Sequence, residues 1–165
     1  MLVPNVTFKE KYGPDWNEVT SEDIFKDQRV VVVSLPGPFT PVCSSKQVPE
    51  FDAAFEELES LGIDAVYIFS VSDWFVMSAW FEKLGVKNLD FMADGSGEFT
   101  RDMDMLVNKP LQNFGMRSWR YAMVVSNMRI EKMFVEPDKN SRSLDSDPYQ
   151  ETTPGKIIEY LKSVA

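Results

Sequence analysis

The single cysteine of this 165-residue chain, Cys43, closes the run Pro36-Gly37-Pro38-Phe39-Thr40-Pro41-Val42-Cys43. A thiol attacks only as its thiolate, and one with the reference pKa of about 8.5 is a few per cent ionised at neutral pH. The chain has no histidine, which excludes Ser–His and Cys–His catalytic pairs and zinc sites of the usual Cys/His composition. One cysteine excludes a CxxC dithiol and a four-cysteine iron–sulfur cluster. No metal and no other cofactor is therefore expected, and something other than histidine must activate the sulfur. A helix N-terminus would do so, because its free N–H groups and positive dipole end favour an anion, and a nearby arginine would add to it. Thr40, three residues before the sulfur, can aim its hydroxyl at the thiolate or at an oxygen of a bound substrate. The competing reading is an inert buried thiol, since free cysteine is among the most buried residue types. Three prolines next to Cys43 and its place at a helix start favour the reactive reading.

Other candidate chemistry is weaker. Asp94-Gly95-Ser96-Gly97-Glu98 begins like a calcium loop but lacks the later ligands, so a turn and helix cap is expected. Asp102 and Asp104 flank Met103, next to Met105, as a solvated helix face carrying core methionines. Trp74, Phe75, Trp80 and Phe81 form an aromatic cluster that belongs to the core, with part of it free to face a dimer partner. A net charge of −9 argues against nucleic acid and against an anionic membrane surface as partners. Met1 to Tyr12 shows no basic stretch followed by an apolar one, and Val30 to Leu35 is the longest apolar run; neither reads as a signal or a membrane span. A lone cysteine suits a reducing compartment, and the expected location is cytoplasmic.

The surrounding elements must place Cys43 at a helix start. Hydrophobic residues are 44% of the chain and aromatics 13%, a globular composition that fits a single domain over residues 1–165. Asn5 to Trp16 reads as an extended arm or edge hairpin broken at Gly13-Pro14, and Thr20 with Asp23 caps a short helix through Phe25. Arg29 to Leu35 is a β-branched run typical of a strand buried on both faces, and Pro36 to Pro41 is a stiff loop. From Val42 to Leu61 apolar residues recur at helical spacing, with a kink expected at Pro49. Strands are expected over Ile63 to Val71 and Leu89 to Ala93, with a helix from Asp73 to Leu84 between them and a short helix from Glu98 to Met105 after. Tyr121 to Ser126 and Arg129 to Val135 predict a hairpin around Asn127-Met128. Pro137 to Gln150 reads as irregular, and Thr153-Pro154 opens a last helix running to Val164. The order implies an α/β fold with a mixed central β-sheet and helices on both faces, the thioredoxin-like pattern.

Pro36, Thr40 and Cys43 match the P-x-x-x-T-x-x-C motif of the peroxiredoxins. Leu35 to Pro41 with Cys43-Ser44 resembles the peroxiredoxin-5 subfamily, whose usual form is close to PGAFTPTCS. Ser70-Val71-Ser72-Asp73 with Phe75-Val76, Trp80, Ala93-Asp94 with Gly97, and Arg117-Ser118 with Arg120 to Val125 continue the similarity. It extends from about Val6 to Leu161.

By that resemblance Cys43 is the peroxidatic cysteine, Thr40 its hydrogen-bonding partner and Arg120 the strand arginine, while Pro36 shields the sulfur. Phe39 joins Thr40, Cys43 and Arg120 in contacting the substrate. Arg117 is the second choice of arginine, expected on the same face as Arg120. Many relatives carry histidine or glutamate where this chain has Gln47, and some carry a second, resolving cysteine that is absent here. The resemblance implies reduction of hydrogen peroxide and alkyl hydroperoxides through a sulfenic acid on Cys43. An external thiol would resolve it: glutathione with glutaredoxin first, because relatives of this subtype are often fused to glutaredoxin domains, and thioredoxin as the alternative. A homodimer is expected. A redox sensor that is oxidised and docks on a partner without turnover needs the same Cys43 and Arg120, and remains the rival reading.

Overall fold

The computed structural model describes residues 1–139 and 147–165. Its centre is a five-stranded sheet of order β5-β4-β3-β8-β9, formed by β3 (Arg29–Ser34), β4 (Ala65–Ser70), β5 (Asp90–Ala93), β8 (Tyr121–Ser126) and β9 (Arg129–Val135). β3, β4 and β5 run parallel, β8 lies antiparallel to β3, and β9 returns beside β8. The β8–β9 turn is made by Asn127 and Met128, both at positive φ, as a two-residue hairpin of right-handed twist requires.

The β-branched run of β3 is explained by two cores. Val31 and Val33 point to one face and Val30 and Val32 to the other, all fully buried. The first face packs on α2 (Val48–Ser60), α3 (Trp74–Leu84) and α5 (Pro154–Ser163) through Phe51, Leu58, Met77, Trp80, Ile157 and Leu161. The second is closed by α1 (Ser21–Phe25), by α4 (Glu98–Asp102), and by a separate hairpin of β1 (Thr7–Tyr12) and β2 (Asp15–Thr20). The mixed sheet with helices on both faces is therefore as expected, and the N-terminal arm is the hairpin offered as one of its two forms.

The caps follow the sequence. Thr20 and Asp23 form a reciprocal capping box, Asp73 caps α3 on the Val76 N–H, and Gly85 ends α3 in a left-handed conformation. Thr153 caps α5 ahead of Pro154. Two elements were not foreseen: β6 (Leu106–Lys109) and β7 (Gly115–Ser118), paired antiparallel. The short helix stops at Asp102 and not at Met105. Of the irregular stretch Pro137 to Gln150, residues 140–146 lie outside the described residues.

The expected Pro49 kink takes a specific form. Residues Cys43–Gln47 are a π-helical turn that runs directly into α2, with the Val48 N–H donating to the Cys43 carbonyl. Pro49 has no N–H to offer the carbonyl four residues back, and the wider turn immediately before it absorbs the break. Such single-turn π segments occur frequently at functional sites.

Candidate active site

The helix that carries Cys43 begins just after β3. Its first closing bond runs from the Ser44 N–H to the Thr40 carbonyl at 2.9 Å, so Cys43 lies in the first turn, where the dipole favours a thiolate. The Pro36 to Pro41 loop spans the gap from the sheet to this turn. Cys43 and Pro36 are both buried, and the Cys43 residue has no exposed surface at all. The Ser44 hydroxyl next to it accepts from Trp80 Nε1 at 2.9 Å, which ties the turn to α3.

Arg120 comes from the opposite side, one residue before β8. It is 1% exposed, and its Nη1 lies 3.4 Å from Cys43 Sγ. The same Nη1 donates to Gln47 Oε1, and Nη2 donates to Asp147 Oδ1 at 2.6 Å. Burial opposes the Arg120 charge, but the charges of Cys43 and Asp147 outweigh it and leave the pKa above the ordinary guanidinium value. Gln47 is itself fully buried and donates Nε2 to Thr152 Oγ1 at 3.3 Å. It therefore stands as an orienting amide between the arginine and the chain near α5.

A second cation sits close by. Lys109, at the end of β6, is 3% exposed with Nζ 5.2 Å from the centre of the Trp119 ring. Burial pulls its ammonium below the usual lysine range; Asp147 and Cys43 act against that shift and Arg120 acts with it.

The remaining expected residues fall as follows. The Thr40 hydroxyl donates to the Gly37 carbonyl at 2.6 Å and not to the sulfur, so its proton is engaged and its lone pairs face a different use. Phe39 is half exposed and holds a positive φ of 64°, a conformation that costs a non-glycine residue on the order of 1–3 kcal/mol. Arg117 does not share the face of Arg120, a correction with a simple cause: the two are three residues apart, and Arg117 belongs to β7 in a different sheet. Its Nη1 donates to the Pro36 carbonyl at 3.0 Å and its Nε to the Phe114 carbonyl at 3.1 Å. A Cβ at Gly37 would collide with that guanidinium, so glycine is needed for arginine to hold the loop. Phe75 meets Trp16 and Trp74 edge to face and Trp74 lies tilted against Phe91, while Trp80 is core. Asp94 is a buried cap on the Phe99 and Thr100 N–H groups, as the turn-and-cap reading expected.

A buried thiol at a helix start, touched by a buried arginine, can act as a nucleophile toward an electrophilic oxygen. Comparison with known proteins agrees. Residues 1–148 match the family model described as Redoxin. A peroxiredoxin of Sinorhizobium fredii is 46% identical, over 98% of this chain and 90% of its own length. A hybrid peroxiredoxin of Haemophilus influenzae is 42% identical, over 96% of this chain and 64% of its own length. The crystal structure of a Plasmodium falciparum antioxidant protein, described as a 1-Cys peroxiredoxin, superposes with a TM-score of 0.91 at 30% identity, covering 99% of this chain and 98% of that one. The sheet order, the two-sided core and the buried Cys43–Arg120 pair thus meet in a thioredoxin-like fold, and the chain belongs to the redoxin family as a peroxiredoxin, a thiol-dependent peroxidase.

Proposed function

We propose that the chain reduces hydrogen peroxide and alkyl hydroperoxides by a one-cysteine cycle on Cys43. The observation that carries this reading is the 3.4 Å contact from Arg120 Nη1 to the only sulfur of the chain able to form a thiolate. The Cys43 thiolate attacks the terminal peroxide oxygen; an S–O bond forms, the O–O bond breaks, and the departing oxygen takes a proton and leaves as water or alcohol. Arg120 stabilises the negative charge on that oxygen. Arg120 Nε is buried and has no hydrogen-bond partner among the described residues, so one N–H of the guanidinium is left uncommitted. The Thr40 hydroxyl, with its proton given to Gly37, can accept from the peroxide O–H. Thr40 and the arginine then hold the two oxygens in line. Pro36 and Phe39 cover the sulfur.

An external thiol condenses with the sulfenic acid and releases water, and a second thiol attacks the mixed disulfide to restore the thiolate. Glutathione with glutaredoxin is favoured, supported by the similarity to a subfamily often fused to glutaredoxin and by the hybrid relative; thioredoxin is the alternative. Steady-state peroxide consumption should be sustained by glutathione and glutaredoxin and slower with thioredoxin. Oxidation that stops after one turnover with both would favour the sensor.

With one cysteine, the sulfenic acid cannot close a disulfide within this chain. A symmetric Cys43–Cys43 bridge requires sulfurs about 2.05 Å apart; both are buried inside folded chains, so two subunits would have to open together, whereas a small thiol needs local opening of one. One equivalent of peroxide should give a dimedone-reactive species that runs as a monomer on a non-reducing gel. Glutathione should convert it to a mixed disulfide, and excess peroxide without thiol should give the sulfinic acid by intact mass. Rapid, quantitative formation of a covalent dimer would withdraw the external-thiol mechanism.

Residues 1–165 serve as one domain in this reading, a reducing, cytoplasmic setting suits a free thiol, and among the described residues no helix is long and apolar enough to cross a membrane. A homodimer is supported by Tyr12, Trp16 and Phe75, each more than half exposed, with the Trp16 and Phe75 rings meeting edge to face at 5.7 Å. Sedimentation at micromolar concentration should show a species of twice the monomer mass, and a lone monomer would reject it.

A further inference from the structure

Arginine offers five N–H donors in a rigid planar fork, and the fork of Arg120 is held at two separate ends. Nη1 serves Cys43 and Gln47. Nη2 serves Asp147 alone among the described residues, at 2.6 Å. A plane gripped at one end can still swing about the other, whereas one gripped at both ends cannot. The Tyr149 ring, 5.8 Å from the guanidinium carbon, packs over the same group.

The segment that carries Asp147 is itself fastened. Glu136, directly after β9, is 1% exposed, and its carboxylate accepts from the backbone N–H groups of Gln150, Glu151 and Thr152 and from the Thr152 hydroxyl. The Glu136 N–H in turn donates to the Arg120 carbonyl at 3.2 Å. The Tyr149 hydroxyl donates to Glu50 on α2. Thus one buried acidic residue binds both the backbone of the arginine and the strap that brings the carboxylate to its far side. Asp147 is one-third exposed at its side chain, so its outer oxygen can stay hydrated while the inner one is committed to Nη2. This limits the cost of placing an anion near the thiolate, and buried Lys109 offsets it further.

We infer that Asp147 is a positioning residue for peroxide reduction, holding the Arg120 fork through Nη2 so that Nη1 stays on the Cys43 sulfur. This rests on the peroxidase reading of the same site. Asp147 touches neither sulfur nor substrate, and its influence passes through the guanidinium. A misplacement of about 1 Å in such a group can cost up to roughly 10²-fold in rate.

The experiment is a thermodynamic cycle on the rate of Cys43 oxidation by hydrogen peroxide, followed by stopped-flow tryptophan fluorescence on the full chain. Asp147→Ala should slow oxidation by about 10- to 100-fold, and Asp147→Asn, which keeps an acceptor oxygen for Nη2, should recover most of that loss. In an Arg120→Met background, Asp147→Ala should have almost no further effect, because the group it positions is gone. A general structural defect would instead lower both backgrounds by the same factor, and that additive result overturns the inference. Wild-type rates for Asp147→Ala, or an Asp147→Asn variant as slow as Asp147→Ala, overturn it as well. Should Asp147→Ala not fold, Asp147→Asn and Asp147→Ser supply the same cycle, with Ser expected to behave as Ala does. Wild-type protein that fails to react with peroxide would sink the peroxidase reading itself, whereas a reactive wild type matched by its variants sinks only the role of Asp147.

Discussion

Cys43→Ser should consume no peroxide above the uncatalysed background, with glutathione, glutaredoxin or thioredoxin present in any combination. The substitution replaces sulfur by oxygen in a fully buried site at a helix start, so packing changes by a fraction of a side-chain volume. The chemistry changes completely, because an alcohol has no thiolate form and cannot pass through a sulfenic acid. No second cysteine can take over. Far-ultraviolet circular dichroism and the unfolding midpoint should stay close to wild type, since Cys43 contributes one long contact to Arg120 and its neighbours Gln47 and Asp147 keep the guanidinium satisfied. The measurement is peroxide loss by ferric–xylenol orange assay alongside the spectrum. Residual turnover near the wild-type rate in a folded Cys43→Ser protein would overturn every mechanistic statement made above.

The sequence carried the parts of this site that are local. Thr40, Cys43 and Pro36 lie within eight positions of one another, so their spacing alone places them on a loop and the first turn of a helix. β3 was legible because a strand buried on both faces must be apolar throughout, and Val30 to Val33 are buried on alternating sides. Pro49 announced a break in the helix, although only the structure gives its form as a π turn over Cys43–Gln47. What stayed illegible is what depends on distant polar residues. Gln47 lies 73 positions from Arg120 and Asp147 lies 27, and neither stands in a local pattern that marks it. Glu136 carries no local mark in the sequence either, yet it is buried and collects three backbone N–H groups. Four-residue strands such as β6 and β7 carry too few positions to show alternation, and Pro110 beside Lys109 reads as a break. Arg117 shows the opposite hazard. It was expected to share the face of Arg120, but a three-residue offset and a different sheet send it to the Pro36 carbonyl instead.

Arg120→Met should leave a folded protein that is slower by roughly 10²–10³, or about 2.7–4 kcal/mol of lost transition-state stabilisation, the range for one preorganised donor removed from an oxyanion site. Methionine keeps much of the apolar stem and deletes the charge and all five N–H donors. Three partners are released together: Cys43 Sγ, Gln47 Oε1 and Asp147 Oδ1. Gln47 retains its bond to Thr152, and Asp147 can turn its carboxylate to water, so the larger effect falls on rate and the smaller one on stability. The loss has two parts that separate experimentally. Without the positive charge 3.4 Å from its sulfur, Cys43 should be alkylated more slowly by iodoacetamide at neutral pH. The remainder of the loss belongs to the departing oxygen and appears only with peroxide, so the peroxide rate should fall by a larger factor than the alkylation rate. Arg120→Lys should recover part of the alkylation rate, as it restores a charge. It should recover less of the peroxide rate, since one ammonium cannot reproduce a fork that reaches sulfur, amide and carboxylate together. Equal losses in the two reactions for Arg120→Met would mean that the arginine serves only to ionise the thiol, and unchanged rates in both would mean that another group supports the sulfur.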